Sequence, residues 1–159
     1  MKRSGFMGTL DNFANASNER REQNIMRLRA AFNDEKYNTL IQAAKGTGYT
    51  LTTVKKWAID GNIPLLDENN QPVVPLTADN QRQINPKTRI AHLNKLSEVY
   101  NKREAITIAA CAKLLGYPEE TIQAWAIDGE VPLFTKNNEP IVPLTDWNTP
   151  YWMESDDFL

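Results

Sequence analysis

The sequence predicts a mainly α chain with small β hairpins, built as two tandem modules. Three observations predict it. First, the stretch from Thr53 to Leu65, centred on Trp57-Ala58-Ile59-Asp60-Gly61, recurs from Thr121 to Leu133 around Trp125-Ala126-Ile127-Asp128-Gly129. The offset of 68 positions holds from Ala44 and Ala112 to Thr77 and Thr145, where about 19 of about 34 positions are identical, the mark of a tandem duplication. Second, Ile122, Trp125 and Ala126 fall at i, i+3 and i+4, as do Val54, Trp57 and Ala58, so each copy carries an amphipathic helix. Third, each copy closes on two short apolar runs around a polar loop. In the second copy these are Val131-Pro132-Leu133-Phe134 and Ile141-Val142-Pro143-Leu144 about Thr135 to Glu139, and their prolines restrict them to ribbon or edge strands. Helix, tight turn, helix and hairpin is the order of a winged helix-turn-helix, and the chain carries it twice.

Residues 1–23 mix Gly, Asn, Ser, Arg and Glu without apolar period and are expected as a mobile arm, although Phe6, Met7, Leu10 and Phe13 would allow a short helix. Module 1 spans residues 24–80. Its helix pattern starts with Ile25, Leu28, Ala31 and Phe32, and Tyr37 to Lys45 form the first helix of the turn unit. Residues 81–90 are polar, contain Asn85-Pro86 and read as a linker. Module 2 spans residues 91–148 and repeats the pattern with Leu93, Leu96, Val99 and Tyr100, then Ala105 to Leu115. Gly116 takes the left-handed turn out of that helix. Pro118 suits the first position of the next helix, Glu119 and Glu120 its positive end, and Gly129 its C-terminal cap. In the loops, Asn69-Asn70 and Asn137-Asn138 serve the turn. Residues 149–159 form an acidic aromatic tail that either closes the core of module 2 or presents a short peptide to a partner.

A chain of 159 residues, 41% hydrophobic, suits two modules with small cores, which are expected to pack on each other or on a second chain. No apolar run approaches about 18 residues and no charged-then-apolar amino terminus appears, so a cytoplasmic protein with no membrane contact is expected. Cys111 aligns with Ala43 and reads as a small buried helix residue. His92 lacks partners at metal spacing and reads as a surface or linker residue. With no Ser/His/Asp set, metal spacing or phosphate-cradling glycine loop, neither catalysis nor a cofactor or metal is expected. The formal charge of −2 and a pI near 5.5 count against indiscriminate nucleic-acid binding. Lysines and arginines nevertheless outnumber acids from Met1 to Asp60, so the carboxyl side is the acidic one.

In a helix-turn-helix the second helix enters the major groove. Its outward positions in module 1 include Thr52, Lys55 and Lys56, with Thr53 at the boundary, side chains suited to phosphates and base edges. Lys45 and, in module 2, Gln123 and the loop residue Lys136 complete the candidate DNA-binding set. Module 2 places Glu119 and Glu120 where a phosphate would be repelled. With Trp152 and Phe158 of the tail they form a candidate partner-binding set.

Ala112-Lys113-Leu114-Leu115-Gly116-Tyr117, followed by Thr121-Ile122-Gln123-Ala124-Trp125 and Gly129-Glu130-Val131-Pro132, resembles the excisionase and MerR-like winged helix-turn-helix. The ending Ile141-Val142-Pro143-Leu144-Thr145-Asp146-Trp147-Asn148 is similar to the phage Cox/Apl type. The resemblance covers about 45 residues of each copy. It implies a small DNA-binding protein of a phage or mobile element that represses a promoter and directs excision, often as a multimer. The fused double copy and the absence of arginines from the second helix and the loop depart from that pattern. The expectation is a double-stranded DNA-binding regulator whose tandem modules read two half-sites, module 1 dominant. A homo-oligomer and a protein partner for module 2 and the tail stay open, and the rival is a protein-interaction adaptor or inhibitor facing a basic partner.

Overall fold

The computed structural model describes residues 5–154, with side chains over residues 16–153. It is mainly helical: α1 (Gly5–Asn33), α2 (Leu40–Thr47), α3 (Leu51–Asp60), α4 (Pro86–Asn101), α5 (Ile108–Leu115), α6 (Glu119–Asp128) and a last 3-10 turn (Tyr151–Glu154). The chain divides into two compact units. Unit 1 comprises the described part of Met1–Phe32 with Asn38–Arg82, and unit 2 comprises Asn33–Tyr37 with the described part of Gln83–Leu159. None of the described helices is long and apolar enough to cross a membrane.

The duplication reappears in the backbone. Left-handed residues fall in pairs at the same offset: Glu35 and Arg103 (φ 64 and 58), Gly48 and Gly116 (80 and 76), Asn62 and Glu130 (55 and 53), Asn70 and Asn138 (63 and 60). The buried side chains pair likewise: Leu28 with Leu96, Phe32 with Tyr100, Ala43 with Cys111, Val54 with Ile122, Trp57 with Trp125, Ile63 with Val131, Leu65 with Leu133. Each unit therefore fills its core with a long helix, a pair of short helices joined by a tight turn, and the segment that follows them.

Local chemistry explains the short helices. The Thr39 hydroxyl accepts from Gln42 N and the Gln42 side chain answers toward the Thr39 backbone, a capping box that starts α2. Left-handed glycines end α2 and α5, and Thr50 caps α3 by accepting from Thr53 N. Pro118 occupies the capping position of α6, one residue earlier than the sequence suggests, and supplies no side-chain cap. Gly61 and Gly129 close α3 and α6 at φ near −90, and the left-handed turn falls on Asn62 and Glu130. Glycine is needed for space instead: a Cβ at Gly61 would collide with the Ile25 side chain of α1, and one at Gly129 would lie 3.2 Å from Trp125 O.

The structure refines four expectations. Of residues 1–23, expected as a mobile arm, those from Gly5 on are helical as part of α1; the side chains of Phe6, Met7, Leu10 and Phe13 lie outside the described residues. The linker over 81–90 is structured at both ends. Arg82 donates from Nε to Phe32 O (2.5 Å) and from a second nitrogen to Asn38 Oδ1 (2.6 Å), while Asn85 caps α4 and Pro86 opens it, so the Asn-Pro pair starts a helix. The hairpins shrink to isolated bridges, Leu66 with Pro72 and Phe134 with Pro140, because proline removes ladder donors from both arms. In the tail, Trp152 is 5% exposed and donates Nε1–H to Tyr100 O (3.0 Å), so it belongs to the core of unit 2.

The repeat also extends one step beyond the strong match, to Thr77 and Asn80 against Thr145 and Asn148. Asn80, 2% exposed, donates from Nδ2 to Pro75 O (2.8 Å) and Asn62 Oδ1 (3.0 Å) and accepts from Thr77 N (2.8 Å). Asn148 donates to Pro143 O (3.0 Å) and Glu130 O (3.1 Å) and accepts from Thr145 N (2.6 Å). Asn80→Ala orphans buried groups and is expected to cost unit 1 about 1–3 kcal/mol, read as faster amide exchange in α2 and α3; unchanged protection would contradict this role. Burial pushes the Cys111 thiol up to about 11. The thiol therefore stays protonated well above neutral pH, and Cys111 is expected to resist iodoacetamide at about pH 8 until the chain is unfolded.

Candidate nucleic-acid interface

In unit 1, α2 and α3 are separated by Gly48, Tyr49 and Thr50, with the turn made by the left-handed Gly48. Val54, Trp57 and Ala58 are buried on one face of α3, which turns Thr52, Lys55 and Lys56 outward at i, i+3 and i+4. Thr53 is half-buried, and its hydroxyl oxygen accepts from Thr50 Oγ1 (2.9 Å), so it serves the helix start before any ligand. Lys45 is exposed in the last turn of α2. The one acid of α3, Asp60, sits at its far end in an ion pair with Arg21 of α1. The outward face thus carries hydroxyls and ammonium groups without a competing carboxylate. A residue the sequence reading passed over, Tyr49, is exposed at the turn and packs edge-on against Trp57 at 4.7 Å between ring centroids. Its position directly after the helix-ending Gly48 was the available signal.

Unit 2 arranges the same helices differently. Glu119 and Gln123 on α6 line a cleft of about 540 Å³ with Thr107, Phe134, Lys136 and Asn138. The structure therefore brings two DNA-directed candidates, Gln123 and Lys136, to one cleft with a partner-directed one, Glu119, so its lining carries charges of both signs. Glu120 is exposed on α6. Trp152, buried in the core, is withdrawn from partner contact, and Phe158 lies outside the described residues.

Unit 2 also holds a polar cluster that sequence reasoning missed. His92, expected at the surface or in a linker, stacks on Trp125 (4.6 Å, 12°) and places Nε2 2.8 Å from Asp34 Oδ1. Tyr117 donates its hydroxyl to Asp34 Oδ2 at 2.5 Å. Burial first, then the hydrogen bond to Asp34 and the charges of Asp34 and Glu35, push the phenol up and keep it a donor. Beside it, Thr121 Oγ1 donates to Glu35 O (2.7 Å), Trp125 Nε1 donates to the Glu35 carboxylate (3.3 Å), and Arg89 pairs with Asp128 at 2.5 Å. The partners stand 39 to 90 positions apart, beyond any local pattern. The Arg89 to Asp128 pair repeats Arg21 to Asp60 at the offset of 68, and the Tyr117 to Trp125 ring contact repeats Tyr49 to Trp57. These hydrogen bonds and the ion pair hold Asn33–Tyr37 within unit 2.

Among the described residues no group of three or more His, Cys, Asp or Glu side chains could hold a metal ion. Comparison of the chain with protein-family models, with curated proteins and with solved structures gave no match.

Proposed function

We propose that the chain is a DNA-binding regulatory protein of the excisionase-like type found in phages and mobile elements, cytoplasmic and without catalysis or cofactor. Each unit is read as a winged helix-turn-helix whose wing is the proline-limited loop, with the unit 1 module dominant on two half-sites. The observation that carries the reading is the outward face of α3, where Thr52, Lys55 and Lys56 stand exposed with Lys45 on the adjoining helix and no carboxylate between them. Lysines there would meet phosphates and threonines the base edges, which fixes register and gives some sequence preference. At the same places α6 carries Glu120, Gln123 and Ala124, so its contribution comes through avidity once unit 1 is bound. A second reading, an adaptor that meets a basic protein through unit 2, is favoured by Trp147, whose side chain stands 78% exposed.

Fluorescence anisotropy on duplexes from the protein's own upstream region tests the first reading. Lys55→Ala and Lys56→Ala are each expected to weaken binding and to lower the slope of log affinity against log salt by about 1. Glu119→Ala with Glu120→Ala should leave affinity intact or raise it. Equal losses from both pairs, or no binding at physiological salt, would overturn the proposal.

A further inference from the structure

Unit 2 shows what one face of its helices receives, and unit 1 carries the same groups. In unit 2 the Asp34-Glu35 turn, with Glu35 left-handed (φ 64), lies against side chains of α4, α6 and the turn before α6. Tyr117 donates its hydroxyl to the Asp34 carboxylate, and His92 Nε2 stands 2.8 Å from its other oxygen. Thr121 donates to Glu35 O (2.7 Å) and Trp125 Nε1 to the Glu35 carboxylate (3.3 Å). Arg89, paired with Asp128, lies 3.5 Å from that second carboxylate. The occupant is thus an acidic dipeptide, and each of its acids has its own set of donors.

At the offset of 68, unit 1 repeats those donors as Tyr49, Asn24, Thr53, Trp57 and Arg21. Four are unchanged in type, and Asn24 sets an amide donor where unit 2 has His92. The geometry is repeated too: Tyr49 and Trp57 hold the 4.7 Å between ring centroids that separates Tyr117 and Trp125, and Arg21 pairs with Asp60 as Arg89 does with Asp128. What differs is the acceptor. Among the described residues no hydrogen bond answers the Tyr49 hydroxyl or the Trp57 indole N–H. Tyr49 is 47% exposed, so the face opens to solvent, and Trp57 is 9% exposed where Trp125, beneath Glu35, is 1%. A nearly buried donor without an acceptor costs stability until a ligand or water answers it. The donors have nevertheless stayed the same in both copies, while their outward neighbours Leu51, Thr52, Lys55 and Lys56 have all been replaced. Unit 1 also holds ten lysines and arginines against seven acids, which draws an acidic partner toward it.

We propose that this face of unit 1 receives an acidic turn of a protein partner, an Asp-Glu pair set as Asp34 and Glu35 are set on unit 2. The first carboxylate accepts from Tyr49 and Asn24. The backbone carbonyl of the second residue accepts from Thr53, and its carboxylate from the Trp57 indole beside Arg21. Hydrogen bonds to ionised acceptors are the strong ones, so the charge of both acids matters as well as their shape. The inference concerns a protein partner of unit 1 and does not require DNA binding.

The test titrates acetyl-Asn-Asp-Glu-Lys-Tyr-amide, the sequence of residues 33–37, into the full chain labelled with nitrogen-15. A second peptide carries Asn and Gln in place of the two acids. The acidic peptide is expected to shift the Trp57 indole N–H and the amides of Asn24, Tyr49 and Thr53 saturably, while the Trp125 indole, already bonded to Glu35, stays in place. The neutral peptide should bind at least about tenfold more weakly. Tyr49→Phe removes one donor and keeps the ring, so affinity for the acidic peptide should fall severalfold. No saturable response, an equal response to the neutral peptide, equal movement of the Trp57 and Trp125 indoles, or unchanged affinity in Tyr49→Phe would overturn the proposal. The same shifts on raising protein concentration alone would assign the face to a second copy and overturn the external partner.

Discussion

Each unit depends on the way its third helix stops. After Asp60 and Asp128 the chain passes through a glycine and a left-handed residue, and the next N–H turns back: Ile63 N to Ala58 O and Val131 N to Ala126 O, both at 2.8 Å. This hydrogen-bonded reversal sends Ile63 and Leu65, or Val131 and Leu133, into the core, where all four are buried. It also brings the helix end so close to the preceding long helix that only glycine fits at Gly61. The inward face of the helix is thereby committed to Val54, Trp57 and Ala58, or Ile122, Trp125 and Ala126, and the outward face is left to change without penalty.

That freedom is where the two copies have parted. Most core changes stay within apolar types, Val54 to Ile122 or Ala43 to Cys111, because a module this small loses a large part of its stability with a cavity. Outward positions have moved from Lys55 and Lys56 to Gln123 and Ala124, and from Leu51 and Thr52 to Glu119 and Glu120. A fold held by one face and diversified on the other lets one copy keep a cationic surface while its duplicate acquires a different one.

How much of this was legible follows from the range of each signal. The helices α2, α3, α5 and α6 were readable because caps, glycines and i, i+3, i+4 spacing act within a few residues, and the repeat doubled each signal. The outward position of Thr52, Lys55 and Lys56 followed from the same spacing. Helix α1 before Gln23 was not legible because its residues carry no apolar period, and Asn85-Pro86 was read as a break because the same pair serves both turns and helix starts. The hairpins came out shorter than read: two short apolar runs about a polar loop suggested ribbon strands, while Pro64, Pro72 and Pro75 left only isolated bridges among the described residues. The Asp34, His92 and Tyr117 cluster joins residues far apart in sequence, and no local rule reaches that distance.

The most direct test of the account is to add a specific duplex to the isotope-labelled full chain and map which amide and side-chain resonances move at physiological salt. The account predicts shifts centred on Lys45, Thr52, Lys55 and Lys56, with smaller ones at Gln123 and Lys136. Shifts of equal size across Glu119 and Glu120, or none in α3, would contradict it.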